Sequence, residues 1–415
     1  MHKLLPRLME PAIRNALERF PVVILTGARQ TGKSTLVAAS PLGKGRTYRT
    51  LDDFDILERA REAPDFLLQD SPRLTIDEVQ RFPSLLQRIK RVVDRGRRPG
   101  QFLLTGSSNL LLMRRVSETL AGRAIYLNLW PLTESEKSGS ASPGPWEKLL
   151  HARDAAAARR MFPNAPPLGD WASAALKGGY PVAALASGTE ERAQWFDGYL
   201  RTYLERDLQE VASIGGLVDF RRLMRLASLR VGKVLNQTDL ARDAGLSQPT
   251  AHRYLNLLET SFQIMRIPPY AVSRTKRLVK APKLYWTDVG LGAHLAGIAT
   301  PEALTSSSLA GAFLENLVLL QMLAWRETMA VRPEILYWRT RVGDEVDFVI
   351  EAGGRLLPVE VKQGERVGMS DVRGLMVFLE EYRDLAPIGV VLYGGTSAFI
   401  VADRVLAVPL RCAFA

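Results

Sequence analysis

Short apolar runs alternate with amphipathic stretches over the first third of the chain. The runs are Val22-Val23-Ile24-Leu25, Leu74-Thr75-Ile76 and Phe102-Leu103-Leu104. Each has the length of a buried strand, whereas the stretches between them have helical spacing. This alternation predicts an α/β fold for residues 1–136, with a doubly wound parallel sheet.

The remainder of the chain divides into three further parts. A cluster of Ser, Gly and Pro begins at residue 137 and indicates a hinge, and helical spacing follows it, so residues 137–220 form a predicted α-helical lid or linker. Residues 221–300 show a helix-turn-helix pattern and two short apolar runs, which we interpret as a winged helix. Residues 301–415 open with an apolar helix and continue with strand-like alternation, which predicts a C-terminal α/β domain.

The first apolar run leads directly into a complete G-x-x-x-x-G-K-[ST] phosphate loop. Gly27 and Gly32 allow the backbone to approach phosphate, Lys33 would reach the β- and γ-phosphates, and the Ser34 hydroxyl would bind Mg²⁺. The predicted cofactors are therefore ATP and Mg²⁺. The predicted nucleotide-binding residues are Gly27, Ala28, Arg29, Gln30, Thr31, Gly32, Lys33, Ser34 and Thr35.

The later strand ends supply candidate catalytic residues. Asp77 would support Mg²⁺ and Glu78 would polarise an attacking water, which predicts hydrolysis rather than phosphoryl transfer. Residues 105–109 form a polar tip where a γ-phosphate sensor could lie. Arg123 is a candidate arginine finger for a neighbouring subunit, which implies a homo-oligomer, or else a surface arginine. Arg206 could sense nucleotide from the lid, although a packed helical face is the simpler interpretation there.

The order of these motifs resembles the prokaryotic AAA-type ATPases that carry a C-terminal domain of unknown function. The resemblance covers nearly the whole chain and implies an AAA+ P-loop ATPase core and a DNA-linked role. It is carried by residues 26–34, Ile76-Asp77-Glu78-Val79-Gln80, residues 102–108, Leu120-Ala121-Gly122-Arg123, Gly178-Gly179-Tyr180-Pro181 and residues 202–207.

The positive charge of the chain is concentrated in the predicted winged helix. Of a formal net charge of +11, residues 221–283 contribute thirteen Lys and Arg against three acidic residues. This excess favours binding to duplex or branched DNA, with an affinity that falls as salt rises. Winged helices also bind proteins, so that alternative stays open. The predicted contact residues are Gln248, Thr250, His252 and Arg253 on the second helix, and Arg274, Lys276, Arg277 and Lys280 between the wing strands.

Acidic residues lie on two predicted strands of the C-terminal domain. The separation of Asp347 from Glu360 suits a hairpin that brings both carboxylates to one Mg²⁺ ion, with Lys362 steadying developing charge. Together with Glu315, this pattern resembles the restriction-endonuclease-like nucleases. No proline precedes Asp347, and Glu345 is a competing acid, so an amphipathic hairpin with a solvated charged face remains an alternative.

The composition of the chain limits which covalent and metal sites it can form and where in the cell it is expected. The single cysteine, Cys412, excludes an intramolecular disulfide and a cysteine-rich zinc site, and the four histidines lack metal-ligand spacing. No run of eighteen apolar residues occurs, so we expect a soluble cytoplasmic protein without a membrane partner. The predicted function is coupling of Mg-ATP turnover to DNA remodelling or processing. The alternative is a nucleotide-dependent switch that acts on a protein partner.

Overall fold

The computed structural model describes residues 4–106, 120–162, 164–165, 169–205 and 216–414. Within these ranges the chain forms an N-terminal parallel sheet, a helical region with a two-stranded hairpin, and a C-terminal mixed sheet.

The N-terminal sheet has five parallel strands in the order β2-β3-β4-β1-β5. The strands are β1 Val22–Thr26, β2 Thr47–Thr50, β3 Leu74–Asp77, β4 Phe102–Thr105 and β5 Ala124–Asn128. The helices are α1 Glu10–Arg19, α2 Lys33–Ala39, α3 Phe54–Glu62, α4 Pro64–Gln69 and α5 Leu85–Arg95. The predicted parallel sheet is confirmed.

Both faces of this sheet are covered by helices. Side chains of a strand alternate between faces, so Val22 and Ile24 pack with α3, α4 and α5, while Val23 and Leu25 pack with α1 and α2. All five β1 residues are buried. The uninterrupted apolar run of β1 therefore reflects a central strand with two covered faces.

A helical region follows, and it includes the predicted helix-turn-helix. Its helices are α6 Glu134–Ser138, α7 Trp146–Leu150, α8 Ala155–Arg159, α9 Trp171–Lys177, α10 Pro181–Ala184, α11 Thr189–Tyr199, α12 Leu217–Ser228, α13 Gln237–Asp243 and α14 Gln248–Thr260, with a π-helical stretch at Leu200–Glu205. Between α13 and α14, Gly245 has φ +66°, and the Ser247 hydroxyl accepts a hydrogen bond from the Thr250 backbone N–H at 3.3 Å. The turn glycine and the serine cap are both as predicted.

The two predicted wing strands pair, but the segment between them differs from the prediction. Strands β6 Ile264–Ile267 and β7 Lys283–Trp286 are antiparallel, and helix α15 Arg274–Val279 lies between them. The prediction that Arg277 is an exposed phosphate contact is wrong. Its side chain is 7% exposed and forms ion pairs with Glu334 and Glu351, so its charge is neutralised inside the protein.

The C-terminal domain contains a six-stranded mixed sheet in the order β12-β13-β11-β10-β9-β8. Its strands are β8 Glu334–Arg339, β9 Glu345–Ala352, β10 Arg355–Val361, β11 Gly389–Tyr393, β12 Phe399–Ala402 and β13 Val405–Pro409. Helix α16 Val289–Leu295 precedes this domain and packs mainly on the helical region. The helices of the domain are α17 Pro301–Ser306, α18 Ala310–Thr328, α19 Arg373–Glu381 and α20 Arg411–Phe414. The predicted antiparallel hairpin of β9 and β10 is confirmed. One hydrophobic core runs from the helical region into this sheet and includes Trp286, Phe313 and Val359.

The N-terminal domain and the helical region meet at Gly179, the second of two consecutive glycines. The Leu132 backbone N–H donates to the carbonyl oxygen of Gly179 at 2.7 Å. A Cβ atom at Gly179 would lie 2.5 Å from the Leu132 carbonyl oxygen. The adjoining backbones therefore approach more closely than any side chain allows.

We expect Gly179→Ala to lower the free energy of unfolding by about 1–3 kcal/mol, because the new methyl group overlaps fixed backbone. Thermal and urea unfolding of the full chain measure this. Gly198→Ala is the matched control, since a Cβ at the exposed Gly198 on α11 meets nothing within 4 Å. Equal stability of the two variants would contradict the tight junction.

Candidate functional site

The phosphate loop lies between the end of β1 and the start of α2. Gly27 has φ +142° and Gly32 has φ +90°, conformations that favour glycine. A Cβ at Gly27 would also lie 2.4 Å from the Leu129 carbonyl oxygen. Helix α2 begins at Lys33, as predicted, so its N-terminal N–H groups face the loop.

Lys33 folds back onto its own loop. Its Nζ donates to the carbonyl oxygens of Gly27 at 3.1 Å and Ala28 at 2.7 Å. Burial lowers the pKa of Lys33 to about 8, although the nearby Glu78 and Asp77 carboxylates oppose the shift. A phosphate anion in the loop would stabilise the ammonium form that burial disfavours.

Asp77 is the meeting point of four elements. Its carboxylate accepts hydrogen bonds from the hydroxyls of Ser34 at 3.1 Å and Tyr48 at 2.8 Å, and from the Thr105 hydroxyl. Ser34 and Asp77 thus present adjacent oxygen atoms, the ligands that Mg²⁺ prefers. The residues present fit a magnesium ion that also binds nucleotide phosphate.

Glu78 lies next to this pair in an unusual backbone conformation. Its φ is +57°, and such outliers cluster at functional sites. Burial and the adjacent Asp77 carboxylate raise the pKa of Glu78. The Gln80 side-chain amide donates to the Glu78 carboxylate, which holds it at the edge of the cleft.

Two cavities flank Gly32. The larger, of about 720 Å³, is lined by six of the predicted nucleotide-binding residues and by Glu78, whereas Asp77 lies behind Ser34 and does not line it. Its lining residues are Arg29, Gln30, Gly32, Lys33, Ser34, Thr35, Asp52, Phe54, Glu78, Gln80 and Arg81. The second, of about 290 Å³, is lined mainly by apolar side chains, among them Leu4, Pro6, Leu36 and Pro181. One polar and one apolar cavity therefore adjoin the phosphate loop.

Tyr48 and Arg7 belong to this site but carry no motif in the sequence. Arg7 donates to the carbonyl oxygens of Thr31 at 2.7 Å and Trp130 at 2.6 Å, and its guanidinium lies 3.2 Å from Glu136. Arg7 contacts the loop and Tyr48 contacts Asp77 from outside the motif segments, so only the fold reveals them.

Arg123 lies away from the phosphate loop of its own chain. It precedes Ala124, which pairs with Val22 at the start of β1, whereas the loop follows the end of β1. Its guanidinium forms an ion pair with Asp94 at 2.5 Å. A role as arginine finger in a neighbouring subunit stays a prediction. Residues 107–109 of the predicted sensor tip, and Arg206, lie outside the described residues.

The predicted acids of the C-terminal domain do come together. The Asp347 backbone N–H donates to Glu360 Oε2 at 3.4 Å, and the Val361 backbone N–H donates to Asp347 Oδ2 at 2.9 Å. Lys362 Nζ lies 2.7 Å from Glu360 Oε1. Burial, together with repulsion from Asp347, raises the pKa of Glu360 and of Glu315.

Lys283 is the unexpected member of this cluster, because the sequence places it on the predicted wing. Its Nζ lies 2.5 Å from Glu345 Oε1, 3.8 Å from Asp347 Oδ1 and 3.9 Å from Glu315 Oε2. Among the residues that the structure describes, no three His, Cys, Asp or Glu side chains are arranged to hold a metal ion. With the Lys283 ammonium among the acids, the cluster does not fit the divalent metal that the nuclease resemblance implies.

Comparison with protein families divides the chain into three matched segments. Residues 19–137 match the AAA domain, which supports a P-loop core that binds and hydrolyses ATP. Residues 168–302 and 310–413 match two domains of unknown function, DUF8612 and DUF4143.

Two mycobacterial proteins resemble the chain over most of its length. The uncharacterized protein Rv2008c of Mycobacterium tuberculosis and the uncharacterized protein Mb2031c of Mycobacterium bovis are each 33% identical over 400 residues, covering 96% of this chain and 82% of theirs. Among solved structures, the Walker-type ATPase PABY2304 of Pyrococcus abyssi overlaps with a TM-score of 0.40 at 15% identity, covering 71% of this chain and 99% of that one.

Helix length and hydropathy bear on membrane insertion. Over the described ranges, no helix combines the length and apolar character needed to cross a bilayer.

We expect Tyr48→Phe to lower the free energy of unfolding by about 1 kcal/mol, because the buried Asp77 carboxylate loses a hydroxyl donor. Tyr126→Phe is the matched control in the same sheet, since the buried Tyr126 hydroxyl has no hydrogen-bond partner among the described residues. Thermal unfolding compares the two. An equal or greater loss in Tyr126→Phe would show that Tyr48 does not anchor Asp77.

Proposed function

This chain belongs to the family of the two mycobacterial proteins, and from the geometry of its phosphate loop we propose that it is an AAA-type ATPase that couples Mg-ATP turnover to the remodelling or processing of DNA. The observation that carries the ATPase proposal is the convergence of Ser34 and Thr105 on Asp77 beside Lys33. These side chains come from α2, β4, β3 and the phosphate loop.

Each residue of the cleft has a separate role in this proposal. Lys33 and the backbone N–H groups of the loop bind the β- and γ-phosphates. Ser34 and Asp77 hold Mg²⁺, which neutralises phosphate charge when it is bound. Glu78 accepts a hydrogen bond from the attacking water and orients it toward the γ-phosphate. Hydrolysis rather than transfer follows from this acid beside the phosphate site.

The apolar cavity next to Gly32 supports a purine nucleotide as the ligand. It shares Gly32 and Thr35 with the polar cavity, so a base seated among Leu36 and Pro181 would leave its phosphates in the loop. Ligand sites of this kind combine an apolar lining with a few placed polar groups.

The DNA proposal rests on the helix-turn-helix and on the tip of the β6–β7 hairpin. His252 and Arg253 are exposed on α14, and Arg274, Lys276 and Lys280 are exposed at the hairpin tip. Exposed cations clustered on one projecting element are suited to sequence-independent phosphate contacts. The buried Arg277 does not contribute.

One observation favours the alternative of a protein partner. Val272, Leu278 and Val279 at the hairpin tip are 74%, 87% and 79% exposed, and exposed apolar groups together indicate interaction surfaces.

DNA and protein partners differ in their effect on turnover. Stimulation of the ATPase by duplex or branched DNA favours the DNA proposal, and no stimulation favours the nucleotide-dependent switch.

Two further elements of the proposal concern assembly and the C-terminal domain. We propose a homo-oligomer in which Arg123 exchanges its Asp94 partner for the phosphate of a neighbouring subunit. We also propose that the C-terminal domain has a restriction-endonuclease-like fold. The support is the placement of Glu315, Asp347 and Glu360 around one point. DNA cleavage is not part of the proposal.

We expect Lys33→Ala to abolish nucleotide binding, and Glu78→Gln to retain binding while lowering turnover by about 100-fold or more, because only the second variant keeps the phosphate contacts. Calorimetry with Mg-ATP and a phosphate-release assay separate the two effects. Lys44→Ala serves as the control, since Lys44 is exposed and lines neither cavity. Full turnover in Glu78→Gln would remove the role given to Glu78, and unchanged binding in Lys33→Ala would remove the proposed site.

We expect combined alanine substitution of Arg274, Lys276 and Lys280 to weaken DNA binding and to reduce the slope of log K against log salt by about 2–3, because each phosphate contact contributes about 0.9. Fluorescence anisotropy with duplex and branched DNA at several salt concentrations measures this. The control removes the same charge elsewhere, at the exposed Lys148, Arg153 and Arg160. Similar slopes in both triple variants would contradict a specific contact at the hairpin tip.

A further inference from the structure

The C-terminal acid cluster gathers side chains from four elements. Glu315 comes from α18, Glu345 and Asp347 from β9, and Glu360 from β10. The Lys283 ammonium enters from β7 of the hairpin. A cluster of this kind is costly to bury, because each carboxylate loses hydration that only an opposite charge or hydrogen bonds restore.

The Lys283 ammonium contacts the acids that a metal ion would otherwise neutralise. Its side chain is 3% exposed and lies within 4 Å of Glu315, Glu345 and Asp347. Lys362, in contrast, is partly exposed and contacts Glu360 at the edge of the cluster. The central position therefore belongs to Lys283.

The backbone of β7 fixes this ammonium in place. Lys283 pairs with Ile267 of β6 and with Val234 on its other side. Two residues further along the same strand, the Tyr285 hydroxyl donates to Glu315 Oε2 at 3.0 Å. Side chains two apart on a strand share a face, so β7 presents an ammonium and a hydroxyl together to the acids.

We propose that Lys283 is the resident cation of the C-terminal acid cluster, and that it excludes a divalent metal from this position while the β6–β7 hairpin is seated on the C-terminal sheet. The proposal rests on the acid placement that also supports the nuclease-like fold. In this proposal, a lysine on the β6–β7 hairpin, outside the C-terminal domain, occupies the position that a metal ion would take. Its carboxylates would accept a divalent cation only when the ammonium is removed.

Manganese binding to the full chain tests the proposal. Every variant carries Asp77→Asn, which removes the carboxylate proposed to hold the metal at the nucleotide site, and binding of Mn²⁺ alone is followed by electron paramagnetic resonance. We expect the parent to bind no Mn²⁺ at the cluster. Lys283→Met should gain one Mn²⁺ site at the cluster, because the substitution leaves buried carboxylates uncompensated. Addition of Asp347→Asn should abolish this binding.

Lys362→Met is the matched control, since it removes the same charge from the same cluster and leaves Lys283 in place. Tight Mn²⁺ binding by Lys362→Met equal to that of Lys283→Met would overturn the proposal, as would a folded Lys283→Met that binds no Mn²⁺. Circular dichroism checks folding, and Lys283→Gln replaces the methionine variant if the latter does not fold. The parent provides a separate test. If it binds Mn²⁺ and Asp347→Asn abolishes that binding, the proposal that Lys283 excludes the metal is refuted.

Cleavage of plasmid DNA by Lys283→Met is measured separately. A variant that binds Mn²⁺ without cutting DNA would leave the lysine proposal intact and would count against a nuclease ancestry of the acids. A folded variant that neither binds Mn²⁺ nor cuts DNA would refute the lysine proposal. The ATPase proposal would be unaffected, because it depends on other residues.

Discussion

A buried carboxylate fixes the glycine turn at which the helical region meets the N-terminal domain. Asp288 accepts hydrogen bonds from the backbone N–H groups of Gly179 at 2.6 Å, Tyr180 at 3.1 Å and Leu291 at 2.8 Å. Burial raises the pKa of Asp288, while these donors favour its charged form. At Gly178, φ is +65° and a Cβ would lie 2.4 Å from Asp288 Oδ1. Glycine at position 178 is therefore required for the carboxylate to reach the backbone.

This junction joins sites that lie far apart in the sequence. Pro181 lies two residues after Gly179 and lines the apolar cavity beside Gly32, so the helical region forms one wall next to the phosphate loop. Asp288 lies two residues after the end of β7, the strand that carries Lys283. Contiguous contacts therefore connect one wall of the nucleotide cleft with the strand that carries Lys283.

Local sequence patterns predicted those features whose partners are close in the chain. The phosphate loop, the Gly245 turn and the β9–β10 hairpin all depend on spacing within a short segment, and the structure confirms each of them. Tyr48, Arg277 and Lys283 could not be assigned in this way. Arg277, for example, pairs with Glu351, 74 residues away. A count of charges cannot show which of them are neutralised by such distant partners.

The ion pairs of Arg277 and Lys283 anchor the β6–β7 hairpin to the C-terminal domain. Arg277 near its tip and Lys283 on its returning strand both insert into acids of the C-terminal domain. The Tyr270 backbone N–H also donates to the Tyr337 carbonyl oxygen, which adds a main-chain contact between the hairpin and strand β8. Breaking either ion pair would leave a buried charge uncompensated, at a cost of about 3–5 kcal/mol. The β6–β7 hairpin is therefore fixed to the C-terminal sheet. A ligand bound at its exposed tip would act on the helical region and the C-terminal domain together.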